Sequence, residues 1–154
     1  MKNTIKTATA ILAFVALSSA GFSQTKDELH KTLSSHHKNI KDHTTAIVNG
    51  TSKTTEDHKK HAADISKSLD ESKKTHETLK KTMPEKMKTV ANPHHANIEK
   101  HHTDATKHLN ALNDELKKTK PDDAKVKEHS KNLQESIDKA EKEHQTLKEK
   151  TKGA

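Results

Sequence analysis

The chain has 154 residues, no cysteine, tryptophan or tyrosine, and a formal charge of +7 whose positive side is supplied wholly by lysine. Without cysteine, disulfides and thiol catalysis are excluded, and without arginine or aromatic stacking platforms nucleic acid is not an expected partner. The lysines are balanced by twenty-two carboxylates and read as solvated helix faces.

Lys2 and Lys6 precede an apolar run from Ala8 to Leu17 and the small residues Ser18, Ser19 and Ala20. This is the layout of a secretory signal peptide, and the run is too short to span a bilayer. Residues 1–20 are therefore expected to be removed, with cleavage between 20 and 24. Residues 21–154 then form a single helical domain, periplasmic or secreted, without stable membrane insertion. From Gly21 onward there are only eighteen Leu, Ile, Val and Phe residues, fewer than one in seven and under the roughly 20% mark below which disorder sets in. A core this thin needs support from a ligand, from a homo-oligomer, or from polar side chains paired inside.

Gly50, Pro84, Pro93 and Pro121 punctuate four helical stretches. The first runs from about Asp27 to Val48, with Thr25 and Glu28 in capping-box spacing, and ends at Asn49 and Gly50. The second runs from about Thr54 to Met83. Residues 84–92 read as a connector with room for one short turn of helix, after which Asn92 caps a third helix that has Pro93 in its first position. That helix reaches about Lys118. Pro121 opens the fourth, with Asp122 and Asp123 in its first turn, and it runs to about Lys150.

Residues 36–45, HHKNIKDHTT, match residues 94–103, HHANIEKHHT, at six of ten positions, and residues 59–80 match 127–148 at nine of twenty-two. His36, His37, His43, His61 and His76 thereby correspond to His94, His95, His101, His129 and His144. The expected fold is all-α, an antiparallel four-helix bundle made of two duplicated hairpins, about 27–83 and 93–150.

Each helix carries an apolar seam at spacings of three and four. The first seam is Leu29, Leu33, His36, Ile40, His43, Ile47, and the second is His58, Ala62, Ile65, Leu69, Ser72, His76, Leu79, Met83. The third is His94, Ile98, His101, Ala105, His108, Leu112, with Leu109 and Leu116 beside it. The fourth is Val126, Ser130, Leu133, Ile137, Ala140, His144, Leu147. Histidines thus stand where the pattern calls for apolar residues. A core imidazole has to be hydrogen-bonded or metal-bound to offset its desolvation.

Imidazole suits Zn, Cu and Ni, and facing helices of a bundle can bring such ligands together. Antiparallel pairing around Asn49 and Gly50 places His43 near the level of His58 and His36 near His61. Around the second turn His108 falls near His129, and His94 or His95 near His144, with His76 approaching the same end. The candidate metal ligands are therefore His36, His43, His58, His61, His76, His94, His101, His108, His129 and His144. Glu99 with His102 and Glu141 with His144 share the Glu-x-x-His spacing of carboxylate-bridged di-iron bundles, but the first helix has no seam glutamate to complete such a site. His30, His37, His95 and His102 read as exposed amphipathic filler.

The sequence has no GxSxG motif, no phosphate-cradling glycine loop and no HExxH, so no enzyme is expected. The leading expectation is an exported histidine-rich protein that coordinates Zn, Cu or Ni between helices in a buffer, storage or tolerance role. The alternative is an envelope stress or chaperone-like protein, or a structural interaction protein, that works without metal.

Overall fold

Four helices, α1 (Lys26–Val48), α2 (Thr55–Thr82), α3 (Glu85–Leu116) and α4 (Asp123–Lys150), make up the computed structural model, which describes residues 24–152. The expected signal peptide lies outside the described residues. Each helix packs on its two neighbours around a square, α1 on α2 and α4, α3 on α2 and α4. With short turns between consecutive helices, the result is an antiparallel four-helix bundle of two hairpins.

The helix starts follow local chemistry. Thr25 and Glu28 form the expected capping box, Thr54 accepts from the Asp57 backbone N–H, and Asp122 accepts from Ala124 and Lys125. Gly50, at φ 69°, makes the left-handed turn after α1. Pro121 lies just outside α4, whose N-cap is Asp122.

The expected connector 84–92 is instead helical. It forms the first two turns of α3, and Pro93 sits inside the helix, not at its start. The physical reason is burial: Met87 and Ala91 pack against Leu29, Leu79 and Met83, and this contact holds the segment helical although Pro93 cannot donate to the carbonyl of Thr89. Pro93 is exposed, so Pro93→Ala restores that hydrogen bond without disturbing the core. It is expected to stabilise the fold by about 2–3 kcal/mol, read as a higher denaturant midpoint. An unchanged midpoint would mean that the 85–92 turns contribute nothing to the folded state.

The core falls into two apolar clusters. One gathers Ile40, Ile47, Ile65, Leu69, Leu112, Leu133 and their neighbours at the end holding the 49–54 and 117–122 turns. The other gathers Leu29, Leu33, Leu79, Met83, Ala91, Ile98 and Leu147 at the opposite end. There, Lys26 Nζ donates to the carbonyl of Thr151 at 2.7 Å and ties the start of α1 to the end of α4. No helix among the described residues is long and apolar enough to cross a membrane.

Candidate metal centre in the bundle core

Eight of the fourteen histidines are buried and the other six are half-buried, so none is exposed. The filler reading of His30, His37, His95 and His102 is therefore overturned, since all four are at most 2% exposed. In α3 the inward stripe is Ala91, His95, Ile98, His102, Ala105, Leu109, Leu112, Leu116, an unbroken alternation of four and three. The expected seam shared Ile98, Ala105 and Leu112 with this stripe. It took His94, His101 and His108 in place of His95, His102 and Leu109, one residue round the helix, and those three histidines are half-buried at its edge.

Where the two apolar clusters meet, polar side chains from all four helices form a layer around Glu141 of α4. The Glu141 Oε2 atom lies 2.6 Å from His37 Nδ1 and 3.4 Å from His144 Nδ1. Its Oε1 accepts from Ser34 Oγ at 2.8 Å and from the Gln145 amide. A carboxylate can only accept, so the hydrogen bonds assign the Nδ1 protons of His37 and His144 to face it. In neutral rings the Nε2 atoms are then acceptors. His37 Nε2 takes a proton bond from His102 Nε2 at 2.8 Å, and His144 Nε2 takes one from His30 Nδ1 at 2.8 Å. Ser72 Oγ stands 3.1 Å from His102 Nε2. The contact between His37 and His102 crosses the bundle diagonal, linking α1 to α3 through side chains alone.

The electrostatics follow from this wiring. Burial opposes ionisation of Glu141, but hydrogen bonds from His144, His37, Gln145 and Ser34 outweigh it and hold the carboxyl far below the usual range. Burial, reinforced by neighbouring imidazoles and lysines, lowers His30 to about 4 and His102 to about 2. His37 is also lowered by burial, against the pull of Glu141. Burial thus keeps His30, His37 and His102 neutral around one negative charge at neutral pH.

One ring nitrogen each of His37 and His144 and a Glu141 oxygen lie within 4.8 Å of one another and can act as three ligands to one ion. In a tetrahedral site with bonds of about 2.0–2.1 Å, ligand atoms are about 3.3 Å apart. The 3.4 Å spacing of Glu141 and His144 already meets that, and the 2.6 Å contact of His37 with Glu141 must open by less than an ångström. Each ligand ring would turn its Nε2–H toward a further histidine, His102 or His30, which is the orienting partner that metal-bound imidazoles require. Ser34 Oγ lies 3.4 Å from His144 Nδ1.

The other candidate ligands are distributed differently from the expected clusters. His43 meets His61, Nδ1 to Nδ1 at 2.8 Å, with Asp64 4.0 Å from His43 Nε2. His58 instead bonds the carbonyl of Ser52 at 3.2 Å, and His36 faces Glu71 at 3.5 Å. The shift arises because residues 49–54 form a loop before α2 begins, so levels counted from the Asn49/Gly50 turn are one helical turn out at His43 and further out at His36. His94 pairs with Glu143 at 2.8 Å, and His76 Nε2 meets His95 Nδ1 at 2.9 Å. His101 lies half-buried near Glu143 and is lowered by burial. His108 and His129 are half-buried and share no hydrogen bond or ring contact. Of the ten candidates, only His144 belongs to the three-ligand group. Its partner Glu141 was visible in the Glu-x-x-His spacing.

No protein-family model matches the sequence, and comparison with curated proteins and with solved structures finds no match.

Proposed function

We propose that the chain is an exported, non-enzymatic metal-binding protein that buffers or stores a divalent ion, Zn, Cu or Ni, at His37, Glu141 and His144. The observation that carries this reading is the half-buried Glu141 carboxylate facing the Nδ1 atoms of two fully buried imidazoles, each backed by a further histidine. One carboxylate offsets part of a divalent charge, and neutral imidazoles supply the nitrogen donors that these metals prefer. Export rests on the Lys2 to Ala20 pattern. Because the ion ties α1 to α4, coordination supplies stability that the thin aliphatic core lacks.

Thermal melts of the mature, chelator-treated protein test this. At a free zinc concentration a hundredfold above Kd, the ion adds about 2.7 kcal/mol, a rise in Tm on the order of 10 °C for a domain of this size. Copper(II) and nickel are titrated in parallel. Glu141→Gln is expected to keep the fold and weaken zinc binding at least about 100-fold, since it removes the charged ligand. Melts unchanged with all three metals would leave the metal-free stress or interaction protein as the reading.

A further inference from the structure

The internal repeat relates the site just described to a second place in the bundle. His37 and His144 correspond to His95 and His76, and in the structure these meet across α3 and α2, Nε2 to Nδ1 at 2.9 Å. Glu141, however, corresponds to Lys73, whose ammonium donates to Thr106 Oγ1 at 2.7 Å. The second place therefore has two imidazoles and no carboxylate. The sole hydrogen bond of His76 and of His95 is the one to each other. His95 Nε2 is a buried nitrogen without a partner, in a ring 1% exposed. Nothing fixes the proton on either ring, in contrast to His37 and His144 with their carboxylate. A cavity of about 250 Å³ opens beside His76 between α2 and α3, walled by Lys73, His76, Glu77, Glu99, His102 and Thr103.

We propose that His76 and His95 form a second metal site, for monovalent copper, entered through this cavity. The charge balance selects the ion. A divalent cation buried among neutral imidazoles beside Lys73 has no compensating carboxylate, because Glu99 is paired with Lys80 and Glu77 with Lys81. The desolvation penalty of an ion rises steeply with its charge, so a monovalent ion suits the pair better. Two nitrogens about 2 Å from a linearly held ion stand about 4 Å apart, so the 2.9 Å contact must widen by about 1 Å. The adjoining cavity, which His76 lines, gives that ring room to move. His102 lines the same cavity and bonds His37, so one wall of the second site also orients a ligand of the first.

This inference rests on the metal-binding reading of the bundle, but it is separable from it. The mature protein, in a His43→Ala, His61→Ala background that removes the half-exposed pair, is titrated anaerobically with copper(I) held in a bicinchoninate complex, and separately with zinc. The expected result is one equivalent of each ion. His76→Gln and His95→Gln lose copper(I) and keep zinc, whereas Glu141→Gln loses zinc and keeps copper(I). Lys73→Glu, which supplies the missing carboxylate, gains a second equivalent of zinc. Copper(I) uptake unchanged in both His76→Gln and His95→Gln, copper(I) lost with zinc in Glu141→Gln, or zinc lost in His95→Gln would each overturn the proposal. Should the glutamine variants fail to fold by circular dichroism, Lys73→Glu decides: no second zinc equivalent overturns it. Loss of zinc binding alone from the background protein would defeat the Glu141 reading and leave the copper(I) site standing.

Discussion

Lowering the pH of the metal-free protein from 7 to 4 is expected to unfold the bundle cooperatively, as a loss of helical circular dichroism centred between about pH 4 and 6. Unfolded imidazole takes up its proton near 6.5. Burial first, then neighbouring positive groups, lowers His30 and His95 to about 4, His76 to about 3 and His102 to about 2. Between these values the unfolded chain binds more protons than the folded one, so stability is complete above pH 6.5 and falls as pH falls below it. Each pKa unit is worth about 1.4 kcal/mol, so a ring held at about 4 withdraws roughly 3 kcal/mol once the unfolded chain is fully protonated. A domain stability of about 5–15 kcal/mol does not survive several such rings. The carboxylate of Glu141, held low by its hydrogen bonds, acts in the same direction at more acidic pH. Helix content retained unchanged to pH 4 would show that the buried rings accept protons in place.

Replacement of Glu141 by leucine is expected to destabilise the metal-free protein by about 3–6 kcal/mol, against 1 kcal/mol or so for glutamine. Leucine leaves the His37 and His144 Nδ1–H groups buried without an acceptor and frees the Ser34 and Gln145 donors as well. Each stranded buried donor costs about 1–3 kcal/mol. Glutamine retains a carbonyl oxygen for His37 and the approximate shape. Urea denaturation of both variants reads the difference. Equal midpoints for leucine and glutamine would mean that Glu141 does not organise the polar layer, and the ion site would lose its anchor.

The helices and their antiparallel order were legible because punctuation and caps are local signals: Thr25 with Glu28, Asn49 with Gly50, and Asp122 each act within a few residues. Pro93 misled for the same reason. Its local preference for a first turn was overridden by the burial of Met87 and Ala91, a tertiary effect. The site was half legible. In α3, Ile98, Ala105 and Leu112 fit two stripes that differ by one residue, and the histidine pairs 94/95 and 101/102 occupy both. Leu109 and Leu116 carried the signal that settles the stripe, since they continue the alternation only on the side of His95 and His102. Cross-helix levels were out of reach, because the six-residue loop before α2 moves His61 opposite His43. The inward turn of Glu141 depends on Ser34 and His37 from a helix more than a hundred residues away in the chain, and spacing within α4 gives no sign of it.

The most direct measurement is a crystal of the mature protein grown with one equivalent of zinc, with diffraction recorded on both sides of the zinc absorption edge. The predicted result is one principal anomalous peak inside the bundle, about 2.0–2.1 Å from His37 Nδ1, a Glu141 oxygen and His144 Nδ1. A principal peak at the half-exposed His43 and His61 pair, with none beside Glu141, would contradict the account.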